Sequence, residues 1–188
     1  MATQILYFQV RTGRVNGIPG SKNNFIKFLA AYSIASYLLQ FKDRYNGNIM
    51  YDDQGHVSHI DFGFCFDIVP GGVKFEVAPF KLTYEMIVVM GGNQNTQVFR
   101  WFEELCIKGY LACRPYMDTI VRYVTPMLES GLPCFKETTI KNLRSRFVPS
   151  KGEKDASVHM RGLIRKSMES YYTKGYDEFQ RLTNGIPY

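Results

Sequence analysis

Residues 43–63 read DRYNGNIMYDDQGHVSHIDFG, and this stretch decides how the chain is expected to fold. Two short apolar runs, at 49–51 and 57–60, flank a turn-forming segment rich in aspartate and glycine, which is the pattern of a β-hairpin. Twelve residues separate Asn48 from Asp61, so such a hairpin brings these two residues side by side at its open end. The sequence therefore predicts that a side-chain amide and a carboxylate meet beside a pair of strands.

The same stretch carries two patterns of enzymes that transfer phosphoryl groups, D-x-x-x-x-N followed by D-F-G. Asp43 and Asn48 fit the first pattern, and Asp61 begins the second. A transferring phosphoryl group spreads negative charge over its oxygens, so its site needs a carboxylate for the attacking hydroxyl and oxygen ligands for magnesium. A chance D-F-G is expected in about one chain of this size in thirty, and both patterns in this order are rarer still. Kinase ancestry is therefore favoured over coincidence.

The residues around these patterns separate one class of kinase from another. A protein kinase reads His-Arg-Asp before the loop and Ala-Pro-Glu further on, whereas here Arg44 follows Asp43 and Phe80 stands in place of that glutamate. The loop instead resembles that of the phosphatidylinositol kinases, D-R-H-x-x-N, and residues 59–63 match their H-I-D-F-G. Over roughly residues 22–188 the chain is similar to type III alpha phosphatidylinositol 4-kinases, particularly the fungal form. The similar motifs lie at 40–44, 46–50, 70–72, 79–83, 90–92, 114–115, 131–135 and 186–188.

The resemblance implies a fold, an activity and a set of site residues. The fold is α+β and mostly helical: the C-terminal lobe of a protein-kinase-like lipid kinase, with a short β-hairpin beside the catalytic loop and the N-terminal lobe absent. The implied activity is ATP-dependent phosphorylation of phosphatidylinositol to phosphatidylinositol 4-phosphate. The implied residues are Asp43, Arg44 and Tyr45 for catalysis, Asn48 and Asp61 for Mg²⁺ or Mn²⁺, and Asn48, Ile60 and Asp61 for ATP.

Tyr45 is a departure from the family loop, whose third residue is histidine. An imidazole can carry positive charge near neutral pH, whereas a phenol has an ordinary pKa near 10 and stays a neutral donor. Tyr45 can donate a hydrogen bond to a phosphate oxygen, but it cannot neutralise the charge. We therefore expect slower phosphoryl transfer than with histidine.

The segment at 61–83 is the expected activation segment, beside which the lipid head group would lie. Phosphorylated inositol lipids demand clusters of lysine, and this segment offers only Lys74 and Lys81, offset by two acidic residues. This balance favours unphosphorylated phosphatidylinositol as the substrate, with both lysines as its contacts. Solvated loop charges are the alternative interpretation of the two lysines.

The expected segments are a divergent leader at 1–20, outside the resemblance, and a lipid kinase C-terminal lobe at 21–188. Only 42 residues precede Asp43, and a buried helix predicted from apolar spacing at 25–39 occupies part of them, so we expect no room for an ATP-gripping lobe. An inactive fragment that binds a lipid, a membrane or a partner therefore stays the alternative to an enzyme. Within the lobe we expect the catalytic loop at 42–48, the metal turn at 61–63, the activation segment at 61–83, and C-terminal helices at 84–188, including 95–112, 115–129, 137–146 and 176–182.

The charge distribution of the chain indicates which class of binding partner to expect. The chain has 188 residues with a net charge of +6, and residues 136–188 alone hold 11 basic and 6 acidic side chains. No nucleic-acid motif accompanies this basic excess, so an anionic membrane surface is favoured as the partner and nucleic acid is not. Four cysteines without metal-ligand spacing indicate reduced thiols. We expect a cytoplasmic protein, peripheral at membranes, with the plasma membrane and regulatory protein subunits implied by the resemblance.

Overall fold

The structure is a computed structural model that describes residues 20–66, 68 and 78–170. Within them, helices dominate and the two strands form one short hairpin, so the expected α+β, mostly helical class is confirmed. The α-helices and strands are α1 Ser21–Leu39, β1 Ile49–Tyr51, β2 Val57–His59, α2 Tyr84–Val89, α3 Gln97–Cys113, α4 Met117–Val124, α5 Thr139–Arg146 and α6 Glu153–Glu169. Short 3-10 helices lie at Asn46–Asn48, Arg114–Tyr116 and Thr125–Ser130.

The core forms where α1 packs on α3 and α3 packs on α6. The expected buried helix before the catalytic loop is confirmed: Phe25 and Leu29 of α1 are almost fully buried. Gly109 lets α1 and α3 approach closely, because a Cβ at that position would lie 2.5 Å from the Cδ1 atom of Ile34. This packing fixes the end of α1, from which the loop at 40–48 departs.

The hairpin is antiparallel, and its tip is attached to the beginning of α1. The register pairs Ile49 with His59 and Tyr51 with Val57. Gly55 has a positive φ of 80°, and a Cβ there would lie 2.2 Å from the carbonyl oxygen of Ser21, so only glycine fits this turn. The hairpin therefore packs against α1, the helix that precedes the loop at 40–48.

The helix predicted at 95–112 is present as α3, which begins two residues later, and the predicted helix at 115–129 is wrong as one element. The Thr96 hydroxyl accepts a hydrogen bond from the Phe99 N–H at the beginning of α3. The stretch at 115–129 divides into α4 flanked by two 3-10 helices. Pro126 explains its end, because a proline has no N–H to donate to the preceding turn. The helix predicted at 137–146 is confirmed as α5.

Helix α6 packs its apolar face on the domain, as the spacing of its hydrophobic residues favours. Met160 and Ile164 are buried, whereas Arg165 and Lys166 are exposed. The short helix predicted at 176–182 lies outside the described residues. Over the part of the chain that the structure describes, no helix is both long and apolar enough to cross a membrane.

Candidate active site

The loop after α1 buries Asp43 and turns sharply at this residue. Asp43 has a positive φ of 60°, a conformation that aspartate adopts more readily than most side chains. Its side chain is buried, as is that of Asn48. The 3-10 turn at Asn46–Asn48 brings the chain back toward Asp43, so Asn48 lies close to Asp43 although five positions separate them in sequence.

Asn48 contacts Asp43 directly. Its Nδ2 group donates to the main-chain oxygen of Asp43 at 2.9 Å and lies 3.4 Å from the carboxylate Oδ2 atom. With the amide nitrogen committed to Asp43, the amide oxygen of Asn48 is the atom able to bind a hard cation. This geometry agrees with the predicted metal-binding role, which stays a prediction.

The hairpin brings Asp61 to the same place. Beyond the strands, the N–H of Ile60 donates to the carbonyl oxygen of Asn48 at 3.0 Å, so Asp61 immediately follows a residue paired with Asn48. The Asp61 carboxylate is exposed and accepts a hydrogen bond from the Gly63 N–H at 3.1 Å. The predicted hairpin is confirmed, and it pairs Asn48 with Ile60, the residue before Asp61.

These residues fit a magnesium or manganese ion chemically. Small, hard divalent cations bind oxygen, and Mg²⁺ in phosphoryl-transfer sites takes one or two protein ligands and completes its shell with phosphate oxygens and water. Asn48 and Asp61 supply one amide oxygen and one carboxylate, with the Asp43 carboxylate nearby. Among the described residues, no group of three histidine, cysteine or acidic side chains forms an all-protein metal site.

Arg44 joins the catalytic loop to the metal turn from inside the protein. Only 1% of its surface is exposed. Its Nε atom donates to the Lys42 oxygen at 2.8 Å, its Nη1 atom to the Ile60 oxygen at 2.8 Å, and its Nη2 atom to the Asp61 oxygen. These three bonds to main-chain oxygens give Arg44 a positioning role between the catalytic loop and the metal turn, and the catalytic role that the resemblance implies stays a prediction.

Tyr45 lies close to both acidic groups. Burial, followed by the negative charges of Asp43 and Asp61, raises the pKa of the Tyr45 phenol, and Arg44 only partly opposes this. Its ring packs over Gly47, where a Cβ would lie 2.4 Å from the Tyr45 Cε2 atom. The phenol therefore stays neutral at physiological pH, as the sequence predicts.

His59 is a site residue to which the sequence analysis gave no role, although it belongs to the H-I-D-F-G motif. It is buried and stacks on Tyr32 of α1, with ring centroids 4.2 Å apart. Burial, with a smaller contribution from Arg44, lowers the pKa of His59 to about 3, so its imidazole is neutral. Within the described residues its Nδ1 atom has no hydrogen-bond partner. His59 thus stacks on α1 near Arg44 without adding a charge to the site.

Three predicted contact residues have different outcomes. Lys81 is only 6% exposed, which excludes a solvated loop charge at this position; its contact with substrate stays a prediction. Lys74 lies outside the described residues. The Ile60 side chain is exposed beside Asp61, where contact with ATP stays a prediction.

Comparison with known proteins agrees with this geometry. The family model described as phosphatidylinositol 3- and 4-kinase matches residues 5–137. The chain is 64% identical over 185 residues to phosphatidylinositol 4-kinase STT4 of Saccharomyces cerevisiae, covering 97% of this chain and 10% of that protein. It is 56% identical to phosphatidylinositol 4-kinase stt4 of Schizosaccharomyces pombe, with the same coverage, and 48% identical to phosphatidylinositol 4-kinase PIK1 of Saccharomyces cerevisiae over 88% of this chain and 16% of that protein.

The match also bears on the expected leader. Because the family model begins at residue 5, it includes most of the segment 1–20 that was expected to fall outside the resemblance. The chain spans about a tenth of the length of the first two relatives. With the matched residues covering most of the chain and the catalytic loop and metal turn in contact, this protein belongs to the phosphatidylinositol 3- and 4-kinase family.

Proposed function

We propose that the chain forms the hydroxyl-orienting and metal-binding part of a phosphatidylinositol 4-kinase, which transfers the γ-phosphoryl group of ATP to phosphatidylinositol. The observation that carries the proposal is that Asn48 makes two contacts at once. Its side chain donates to Asp43, and its main chain pairs with Ile60, the residue before Asp61. Family membership and relatives that are named phosphatidylinositol 4-kinases support the same conclusion.

The proposed roles follow from the atoms available. The Asp43 carboxylate accepts the proton of the inositol hydroxyl that attacks phosphorus, and the Asn48 amide keeps this aspartate in place. Asn48 and Asp61 hold Mg²⁺ or Mn²⁺, which supplies positive charge for the phosphate oxygens when bound. Arg44 keeps the main chain of Asp61 against the catalytic loop.

The substrate and the location belong to the same proposal. Only Lys74 and Lys81 stand between Asp61 and Thr83, so a phosphorylated head group would find few cations, and unmodified phosphatidylinositol suits this segment better. The substrate is a membrane lipid. The protein would therefore act in the cytoplasm, peripherally at a membrane with the plasma membrane favoured, together with regulatory protein subunits.

The test is an assay of ATP-dependent phosphorylation of phosphatidylinositol in mixed vesicles by the 188-residue chain. Asp61→Ala should lower turnover at least about 10³-fold, because it removes a carboxylate that stabilises the transferring group. Asp53→Ala is the matched control, since Asp53 is an exposed carboxylate in the turn of the same hairpin. If the parent chain is active, equal activity of the two variants would contradict the assignment of Asp61.

A second experiment distinguishes a chain that is inactive in isolation from a wrong proposal for its function. Residues 1–188 can replace the matching part of full-length STT4 from Saccharomyces cerevisiae, to which they are 64% identical. We expect this chimaeric protein to phosphorylate phosphatidylinositol and Asp61→Ala to abolish the activity. An active chimaera with an inactive isolated chain would support the alternative of a binding fragment, whereas an inactive chimaera that folds would contradict the proposed function.

A further inference from the structure

The ring of Phe62, the residue after Asp61 in the metal turn, contacts two side chains of the preceding loop. Its centroid lies 4.8 Å from that of the Phe41 ring, and the two ring planes are tilted by 59°. The guanidinium carbon of Arg44 lies 5.5 Å from the same Phe62 centroid. Phe62 stays 45% exposed, so these two contacts hold its ring in place of deep burial.

Phe41 is tied to the most firmly packed helix of the chain. Its N–H donates to the Ser36 oxygen at 3.2 Å, which fixes it to the last turn of α1. The N–H of the next residue, Lys42, donates to the Phe64 oxygen at 2.9 Å. The segment that carries Phe41 therefore joins α1 to the main chain just after the metal turn.

Asp61 has a backbone conformation that needs support from its surroundings. Its φ is 56°, in the left-handed region that residues other than glycine enter at a cost in free energy. The Gly63 N–H donates to its Oδ1 atom at 3.1 Å, and this bond orients the carboxylate. Because Phe62 joins the two partners of this bond, displacement of its ring would change the turn and, with it, the direction of the carboxylate.

We propose that Phe41 is a positioning residue for the metal-binding carboxylate: its ring fixes Phe62, and Phe62 fixes the turn that orients Asp61. This inference rests on the proposed function, in which Asp61 holds Mg²⁺ or Mn²⁺. Phe41 acts through Phe62, because its own side chain has no polar atom to offer a metal or a phosphate. Residues that orient a metal ligand change metal affinity or activity about 10–100-fold when they are replaced.

Hydrogen exchange in the 188-residue chain, without added metal, tests the structural part of the proposal and needs no enzyme activity. Phe41→Ala should speed exchange in peptic peptides that cover residues 61–66, because the acceptor of the Gly63 N–H is no longer fixed. Exchange in the strands, Ile49–Tyr51 and Val57–His59, should stay as in the parent. Unchanged exchange at 61–66, or equally faster exchange in the strands, would overturn the proposal.

Phe41→Leu protects this test against a folding defect. Leucine keeps an apolar side chain against α1 but has no ring face for Phe62. If circular dichroism shows that Phe41→Ala does not fold, Phe41→Leu is judged by the same two criteria.

The dependence of turnover on free Mg²⁺ tests the consequence for the site, in the STT4 chimaera at saturating ATP. Phe41→Ala should raise the Mg²⁺ concentration for half-maximal turnover about tenfold, and Phe41→Tyr, which keeps the ring, should restore the parent value. Because Phe41 acts through Phe62, adding Phe62→Ala to Phe41→Ala should raise this concentration no further. A lower maximal turnover with unchanged Mg²⁺ dependence would show that Phe41 only stabilises the fold, which would overturn the proposal.

Phe28 provides a matched control. Its ring contacts that of His56 with the same centroid distance, 4.8 Å, and a tilt of 57°, but this pair lies near the tip of the hairpin, at the opposite end from Asp61. Phe28→Ala should change neither the exchange at 61–66 nor the Mg²⁺ dependence, and an effect equal to that of Phe41→Ala would contradict the proposal. An inactive parent chimaera would contradict the proposed function instead, and the exchange experiment would then decide the role of Phe41.

Discussion

At the scale of single residues, Arg44 is the group that the geometry makes most sensitive to substitution. Lysine keeps the charge but lacks the planar fork that reaches the Ile60 and Asp61 oxygens together. Buried, charge-assisted hydrogen bonds are worth about 1.5–3 kcal/mol each, so Arg44→Lys should lower the free energy of unfolding by about 2–4 kcal/mol. Urea denaturation measures this difference.

A surface arginine provides the comparison for Arg44. Arg100 is exposed and donates to a single main-chain oxygen, that of Asn95, at 2.9 Å. Arg100→Lys should change the free energy of unfolding by less than about 0.5 kcal/mol. If the two variants lost similar stability, the positioning role of Arg44 would be wrong.

The substitution of the family histidine by Tyr45 leads to a kinetic prediction. Burial raises the pKa of the Tyr45 phenol, so the group offers a neutral donor where histidine could offer a cation. In the STT4 chimaera, Tyr45→His should raise turnover of phosphatidylinositol by about tenfold, at the low end of what a positioned acid or base contributes. Tyr123→His, at an exposed position on α4, is the control and should leave turnover unchanged. A Tyr45→His chimaera no faster than its parent would show that the phenol suffices.

His59 makes stability depend on pH. Its pKa is lowered to about 3 in the folded protein, whereas histidine in the unfolded chain titrates near 6.5. Between these values the unfolded chain binds more protons, so stability is fully present above pH 6.5 and is lost as the pH falls toward 3. From pH 8 to pH 5 the loss due to His59 is about 2 kcal/mol.

His59→Phe isolates this contribution, because phenylalanine keeps a ring to stack on Tyr32 but has no titrating group. Urea unfolding at pH 8 and pH 5 should show a smaller loss for His59→Phe than for the parent. His56→Phe, which changes a partly exposed hairpin histidine, should retain most of the loss. A parent and a His59→Phe variant with parallel pH profiles would place the titration elsewhere.

The site features that the sequence predicts are those that depend on residues close to one another in the chain. The spacing from Asp43 to Asn48 and the hairpin before Asp61 are local, so both were predicted. The burial of Arg44 and Lys81 is not local: it depends on how segments distant in sequence pack around them. The resemblance implies a catalytic role for Arg44 and a substrate contact for Lys81, and neither expectation says how deeply the side chain is buried.

At the scale of secondary structure, the Thr96 side chain caps the beginning of α3. Thr96 accepts from the Phe99 N–H at 3.1 Å and also donates to the Met90 oxygen at 2.6 Å. Thr96→Ala should therefore lower the free energy of unfolding by about 1–2 kcal/mol, and Thr96→Ser should restore most of it. Thr138 precedes α5 without a side-chain cap bond, so Thr138→Ala should cost less than about 0.5 kcal/mol in the same urea titration. Equal costs would show that the Thr96 cap is not the stabilising feature.

The boundary that was predicted wrongly has an equally local cause. Apolar spacing continues through 115–129, which favours one helix, but Pro126 removes a donor and the α-helical pattern ends at Val124. Periodicity reports which face of a helix is buried and is insensitive to a single missing N–H. The position of Pro126 is therefore a better guide to the end of α4 than the spacing of its hydrophobic residues.

At the scale of the whole molecule, charge is distributed unevenly: residues 136–188 carry most of the basic excess, and Arg165 and Lys166 of α6 are exposed within the described part of this segment. Each basic residue near an anionic bilayer is worth about 1 kcal/mol. The double variant Arg165→Glu with Lys166→Glu should thus weaken binding of the 188-residue chain to phosphatidylserine vesicles at least about tenfold. Vesicle sedimentation at low and high salt measures both the affinity and its screening.

A control of equal charge change is needed, because reversing charges lowers the net charge wherever they lie. Lys27→Glu with Arg122→Glu makes the same change at exposed positions on α1 and α4. If α6 faces the membrane, the control should weaken binding by less than the α6 variant at the same salt concentration. At 0.1 M salt, exposed charges interact strongly only within about 10 Å, so charges far from the bilayer contribute little. Equal weakening by the two variants would mean that net charge alone drives association, and the basic face of α6 would then have no specific part in membrane binding.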